Sequence, residues 1–134
     1  MYLVDTNVWL ERLLDQTRSE EVGNFPERVP ADRLYLTDFT LHSIGIVLVK
    51  LGEAENLLNF VKDVLTDSGV RLAGVGPDDM KSVIKACTDY KLDFDDAYQY
   101  ATAVKFNFEI VSFDADFDRT ERKRKSPAEI EPIG

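Results

Sequence analysis

Residues 109–116 read Glu-Ile-Val-Ser-Phe-Asp-Ala-Asp, a mainly apolar run that passes directly into two aspartates. The start of the chain has the same arrangement, because residues 2–7 read Tyr-Leu-Val-Asp-Thr-Asn. Both patterns predict a short buried strand followed by an acidic loop. In an open α/β sheet the ligand crevice lies beyond the carboxyl ends of the strands, so acids at these positions mark a candidate site.

Further strands alternate with helical patterns along the chain. Four strands are predicted at 2–4, 34–37, 70–73 and 109–112, and a weak fifth near 129–133. Helical stretches between successive strands imply right-handed crossovers and a mostly parallel sheet of four or five strands, with helices on both faces. We therefore expect a three-layer α/β/α fold in a single domain over residues 1–134. The polar residues 16–33, which include two prolines, predict a loop or a short lid.

The helix predicted after the second strand is apolar on two sides. Thr37 or Asp38 can cap its beginning, and the pattern continues toward Leu51. One stripe consists of Thr40, Ile44, Val47, Leu48 and Leu51, and a second consists of Phe39, His42, Ile46 and Val49. A helix with two apolar faces is buried twice, either by other elements of the chain or by a partner subunit. We expect a symmetric homodimer on this ground.

The composition limits the class of protein. A chain of 134 residues that is 44% hydrophobic has the apolar content of one compact domain with a substantial core. Its single cysteine, Cys87, excludes an intramolecular disulfide and a cysteine-based zinc site. No segment approaches the roughly 20 apolar residues that span a bilayer, and the first residues do not read as a secretory signal. We therefore expect a soluble, cytoplasmic protein with no membrane association.

The charge is negative overall but positive at one place. A net charge of −9 is the wrong sign for a protein that holds nucleic acid through a broad basic surface. Residues 119–125, however, read Arg-Thr-Glu-Arg-Lys-Arg-Lys and follow the second acidic loop. The run is either a solvated surface segment or a grip on the nucleic-acid backbone. Its basic residues are Arg119, Arg122, Lys123, Arg124 and Lys125.

Acids stand at the ends of several predicted elements. Asp5 and Asp114 follow strands, Asp116 lies two residues beyond Asp114, and Asp96 falls in the first turn of a helix. Each could be only a helix cap, a charge in a first turn or a turn residue. If the fold brings them together, however, two carboxylates about 4 Å apart repel by roughly 1 to 4 kcal/mol. A bound cation would offset this repulsion, and Mg²⁺ or Mn²⁺ prefers such oxygen ligands.

Residues 3–7, 92–97 and 111–117 read Leu-Val-Asp-Thr-Asn, Leu-Asp-Phe-Asp-Asp-Ala and Val-Ser-Phe-Asp-Ala-Asp-Phe. In order and spacing these stretches resemble the three acidic motifs of PIN domains, especially those of VapC-type toxin ribonucleases. The resemblance implies an RNA substrate and an antitoxin partner. It also implies a role for each matching residue: Asp5, Asp96 and Asp114 as metal ligands, Asp116 as a further ligand or a water-positioning acid, and Thr6, Asn7 and Ser112 as groups that orient them.

One position departs from that pattern. Families of this kind usually carry a glutamate about one and a half turns into the helix after the second strand, and Ser43 stands there. A hydroxyl could reach the ion through water but brings no charge, so we expect weaker metal binding. Asp38 or His42 could compensate. Otherwise Asp38 is a helix cap, and His42 is a surface or interface residue.

These observations favour a divalent-metal-dependent endoribonuclease, in which a metal-activated water attacks the phosphodiester in line and Asp116 or Asp96 steers that water. The alternative is a catalytically weakened PIN-like module that binds nucleic acid, because Ser43 lacks the expected charge. A phosphatase of the haloacid dehalogenase type would need an aspartate where Asn7 stands. A dinucleotide site would need a Gly-x-Gly-x-x-Gly after a strand, and the sequence has none.

Overall fold

In the computed structural model, which describes residues 1–14 and 29–130, four parallel strands form one sheet. The strands are β1 (Tyr2–Val4), β2 (Leu34–Thr37), β3 (Arg71–Ala73) and β4 (Glu109–Val111), in the spatial order β3-β2-β1-β4. Val4 of β1 lies in register with Val111 of β4. The chain therefore leaves both strands at the same edge of the sheet, and the loops that follow them are neighbours.

Within residues 1–14 and 29–130, five α-helices connect the strands. They are α1 (Thr6–Leu13), α2 (Asp38–Lys50), α3 (Ala54–Phe60), α4 (Met80–Tyr90) and α5 (Phe94–Phe106). Thr37 caps α2, because its side chain accepts a hydrogen bond from the backbone N–H of Thr40.

Among the described residues, no helix is long and apolar enough to cross a membrane.

The helices pack on both faces of the sheet and confirm the three-layer α/β/α arrangement. Successive strand residues point to opposite faces, so Leu3 and Ile110 enter one apolar core and Val4 and Val111 the other. The first core contains side chains of α4 and α5, and the second contains side chains of α1, α2 and α3. Each layer of helices thus covers one face of the sheet.

The two stripes of α2 have different environments. Ile44 and Leu48 are fully buried, whereas Ile46 is 68% exposed and Val49 58% exposed. Leu51, which the pattern assigns to the buried stripe, is 57% exposed because α2 ends just before it and the chain turns away. Within the described part of the chain, the second stripe is covered at Phe39, which packs against Tyr98, and exposed at Ile46 and Val49.

The end of the described chain differs from the predicted fifth strand. Glu129 belongs to a short 3₁₀ turn over Pro127–Glu129, and residues 131–133 lie outside the described residues. Lys125 instead pairs with β4, since its N–H donates to the carbonyl of Ile110 at 2.8 Å and its carbonyl accepts from Ser112 N–H at 2.9 Å. Of the predicted loop at 16–33, residues 16–28 also lie outside the described part, and Ala31–Arg33 form a 3₁₀ turn before β2.

Candidate metal centre

Asp5 is the first residue after β1 and also the cap of α1. Its backbone is extended, with φ −70° and ψ 156°, and the side chain is almost wholly buried. Oδ1 accepts from the N–H of Thr6 and from Nε2 of Gln99, each at 2.7 Å, and Oδ2 accepts from Oγ of Ser112 at 2.6 Å. Three donors from three elements therefore fix one carboxylate.

Ser112 joins the ends of β1 and β4. Its hydroxyl donates to Asp5 and accepts from Nδ2 of Asn7 at 3.3 Å and from the N–H of Asp114 at 2.9 Å. A hydroxyl has one proton and two lone pairs, so this buried group is fully used. Asn7 also accepts from the N–H of Phe113 at 3.3 Å. Asn7 and Ser112 thus lie where they can orient both Asp5 and the loop that carries Asp114.

Thr6 links the beginnings of two helices. Its Oγ1 donates to Oγ1 of Thr40 at 3.0 Å, and Thr40 is bonded in turn to the capping Thr37. The backbone N–H of Thr6 meanwhile holds Asp5. This chain of hydroxyls ties the start of α2 to the start of α1, beside the acids.

Asp96, Asp114 and Asp116 form a close group of carboxylates. An oxygen atom of each lies within 4.8 Å of an oxygen of the other two. Asp96 is buried in the first turn of α5, and Asp114 begins the 3₁₀ turn after β4, where its Oδ1 accepts from the N–H of Asp116 at 2.9 Å. Asp116 is exposed. The group therefore combines one buried, one half-buried and one solvent-facing acid.

The electrostatics of the group favour a cation. Burial and then the charges of Asp5, Asp95 and Asp114 raise the pKa of Asp96 to about 8. Burial also raises the pKa of Asp5, although the hydrogen bonds from Ser112, Gln99 and Thr6 act against that shift. A positive ion would reverse both shifts because it favours the charged form of each acid.

The residues present fit a hard divalent ion. The donor set consists of carboxylate oxygens, which suit Mg²⁺ and Mn²⁺. In addition, Oε1 of Gln99 is buried and has no hydrogen-bond partner among the described residues. An unpaired buried acceptor commonly marks the place of a water molecule or an ion. Asp96, Asp114 and Asp116 would hold such an ion, with Asp5 beside them.

Gln99 is a site residue that the sequence analysis missed. It lies three residues after Asp96 on α5, so both side chains are on the same side of the helix. The signal available in the sequence was a glutamine within a run of alanine and tyrosine residues that is otherwise suited to burial. A buried polar side chain at that spacing from an acid would have indicated a partner at the same site.

Asp38 and His42 are the two side chains that could compensate for the missing glutamate. Asp38 is exposed and accepts from the hydroxyl of Tyr98 at 2.8 Å, and His42 is exposed on α2. Neither belongs to a group of potential ligands close enough to share an ion in the described part of the chain. Ser43 is half-buried, three residues after Thr40.

The basic run 119–125 is largely engaged with the protein itself. Arg122 donates to the carbonyl of Phe108 and to the side chain of Asn107, and Arg124 donates to the carbonyl of Ser112. Lys125 pairs with Glu109 at 3.3 Å. These three side chains stabilise β4 and the residues around it.

Arg119 is the basic residue at the acidic group. Its Nη2 lies 3.1 Å from Oδ1 of Asp116, and its Nε donates to the carbonyl of the same residue at 3.4 Å. Lys123 is exposed on the following loop. Among the basic residues predicted to bind nucleic acid, Arg119 and Lys123 are therefore the two whose side chains do not contact β4 or its flanking residues.

Comparison with known proteins places this geometry in context. The sequence matches the family model of the PIN domain over residues 2–123. No curated protein sequence matches the chain.

Several solved structures share the fold. The toxin VapC20 of Mycobacterium tuberculosis, described as cleaving the sarcin-ricin loop, has a TM-score of 0.78 at 18% identity, over 98% of this chain and 100% of that chain. A toxin-antitoxin complex from Klebsiella pneumoniae has a TM-score of 0.73 at 21% identity, over 97% and 100%. FitAcB from Neisseria gonorrhoeae has a TM-score of 0.76 at 20% identity, also over 97% and 100%.

Proposed function

The chain belongs to the PIN domain family, and we propose that it is a divalent-metal-dependent endoribonuclease, the toxin of a toxin-antitoxin pair. The observation that carries the proposal is the convergence of Asp96, Asp114 and Asp116 within 4.8 Å of one another at the carboxyl edge of the sheet. Asp5 lies beside them, because the hydroxyl of Ser112 donates to Asp5 and accepts from the N–H of Asp114. Acids so close together are expensive without a cation.

The acidic residues have different roles in the proposed hydrolysis. Mg²⁺ or Mn²⁺, when bound, supplies a water of lowered pKa and a polarised phosphate. Asp5 is held by three donors and keeps its carboxylate in one orientation. Asp116 is exposed at the mouth of the group, where it can steer the attacking water, as can Asp96 from the buried side. No side-chain nucleophile is required.

Substrate binding would rest on few basic residues. Arg119 adjoins Asp116, so it can contact a phosphate that lies next to the acids. Lys123 is exposed nearby in sequence and can add a second contact. Arg122, Arg124 and Lys125 would act mainly by shaping the loop. We propose RNA rather than DNA as the substrate because VapC20, which has a similar fold, is described as a toxin that cleaves the sarcin-ricin loop, an RNA structure.

The exposed apolar residues of α2 and α3 offer a surface for a protein partner. Ile46, Val49 and Leu58 are each more than half exposed. The similar structure from Klebsiella pneumoniae is described as a toxin-antitoxin complex. An antitoxin or a second copy of the chain would bury these side chains, and a monomeric mass by light scattering at micromolar concentration would count against the homodimer.

The second candidate is a nucleic-acid-binding module with weak or no catalysis. Ser43 favours it, because a neutral, half-buried hydroxyl stands where the family usually has a glutamate. This candidate predicts RNA binding without cleavage.

Cleavage assays separate the two candidates. Single-stranded RNA should be cut in Mg²⁺ or Mn²⁺ by the wild-type protein, and Asp96→Asn should lower the rate by about 100-fold or more because an essential ligand is lost. Asp78→Asn, which removes an exposed carboxyl in the turn before α4, is the matched control and should cleave normally. Binding without cleavage across the metal titration would favour the module.

A further inference from the structure

The two polar atoms of the Gln99 side-chain amide lie in different environments. Nε2 donates to Oδ1 of Asp5 at 2.7 Å, whereas Oε1 is buried and has no donor within residues 1–14 and 29–130. The side chain as a whole is 3% exposed. Bulk water therefore does not supply the missing hydrogen bond.

The orientation of this amide follows from the chemistry of Asp5. Asp5 accepts hydrogen bonds from Thr6 and Ser112, so its carboxylate acts as an acceptor and the NH₂ end of Gln99 faces it. Turning the amide over would place two acceptors against each other. Because both amide atoms are bonded to one carbon, Oε1 must then lie close to Asp5.

A purely structural tether does not explain this arrangement. Thr102, one turn further along α5, is an example of a purely structural hydrogen bond. Its hydroxyl donates to the carbonyl of Tyr98 in the preceding turn of the same helix at 2.9 Å. Gln99 instead donates to Asp5, the carboxylate beside the three proposed ligands, and leaves its own acceptor unpaired. Buried unpaired acceptors are rare in native proteins unless a water molecule or an ion completes them.

We propose that Gln99 is a positioning residue of the metal site: its Nε2 holds Asp5 in place, and its Oε1 accepts a hydrogen bond from a water molecule bound to the ion. This inference rests on the proposed function. Partners that orient metal ligands typically change metal affinity by 10- to 100-fold when they are removed.

The test is Mn²⁺ affinity, measured by the electron paramagnetic resonance of free Mn²⁺ during titration of the full chain. Gln99→Met keeps a buried side chain of similar length without the amide and should bind Mn²⁺ at least about tenfold more weakly. Thr102→Val removes a buried hydroxyl from the same helix without touching Asp5 and should bind as the wild type does. Gln99→Asn places the amide one methylene short and should show the same loss, which provides a second variant should the first fail to fold.

A double-mutant cycle with Asp5→Asn tests whether the effect passes through Asp5. We expect Gln99→Met to lower the Mn²⁺ affinity less in the Asp5→Asn background than in the wild-type protein. Equal affinity of Gln99→Met and the wild-type protein would overturn the inference alone. A wild-type protein that takes up no Mn²⁺ at this site would overturn the proposed function as well.

Discussion

The raised pKa of Asp96 predicts that the metal-free protein loses stability as the pH rises from 6 to 8. Its pKa is about 8 in the folded protein, against an ordinary value of 3.8. In this range the folded state keeps a proton that the unfolded state has released, so the free energy of unfolding falls with increasing pH. One proton corresponds to about 1.4 kcal/mol per pH unit, which gives a loss of roughly 2 kcal/mol once partial ionisation near pH 8 is allowed for.

Except for Asp5, the other groups with shifted pKa values do not lower the stability between pH 6 and pH 8. The pKa of Asp79 is lowered by Lys105, and the pKa of Glu129 is lowered by hydrogen bonds from Ser126, so both act in the acid range below their ordinary values of 3.8 and 4.5. The pKa of Lys85 is raised above 10.5 by Asp89 and acts only in strong alkali. Asp5 has a raised pKa and adds to the loss in the same direction.

Urea denaturation in EDTA at pH 6 and pH 8 measures the effect. The wild-type protein should lose about 2 kcal/mol between the two conditions. Asp96→Asn, which cannot ionise, should lose markedly less, and Asp78→Asn should behave as the wild type does. Saturating Mn²⁺ should remove the loss in the wild-type protein. Equal stability of the metal-free wild type at both pH values, or an unchanged loss in Asp96→Asn, would refute the electrostatic reasoning.

Three further substitutions test separate parts of the structure. Ser43→Glu should strengthen Mn²⁺ binding by about tenfold in a calorimetric titration, because it adds a charged ligand where the family carries one; unchanged affinity would show that this position does not face the ion. Gly74→Ala should lower the free energy of unfolding by about 1 to 3 kcal/mol, because its Cβ would lie 2.8 Å from two side-chain oxygens. Gly76→Ala, where nothing lies within 4 Å of the added carbon, is its control. Arg119→Ala should weaken RNA binding more than Lys123→Ala does while thermal unfolding stays unchanged, and the reverse order would argue against a phosphate contact by Arg119.

The arrangement of strands was predictable from the sequence because each strand is an apolar run with an abrupt end. The predicted strands at 2–4 and 34–37 agree with β1 and β2, and those at 70–73 and 109–112 each differ from β3 and β4 by one residue. The nearness of Asp5 to the loop that carries Asp114 followed from the same logic, since parallel strands bring their carboxyl ends to one edge. Asp96 lies in the first turn of α5, and only the resemblance to PIN domains indicated that it belongs with them.

The roles of individual polar side chains were harder to predict because they depend on partners distant in sequence. Gln99 meets Asp5 across 94 positions, and no local pattern indicates that contact. The basic run suggests a surface that binds nucleic acid. The sequence does not indicate that Arg122 and Arg124 donate hydrogen bonds to backbone carbonyl groups of the protein instead. The second apolar stripe of α2 was predicted to be covered by other elements or by a partner subunit, and the described chain leaves Ile46 and Val49 of that stripe exposed.

The metal site is tested most directly by a crystal structure of the protein soaked in Mn²⁺, with the ion located by its anomalous scattering. We predict one ion bound by carboxylate oxygens of Asp96, Asp114 and Asp116, with Asp5 adjacent and still hydrogen-bonded to Ser112. Asp96 also forms a second group of acids with the exposed Asp93 and Asp95. Density between those three side chains instead, or no bound ion at saturating Mn²⁺, would contradict the proposed centre.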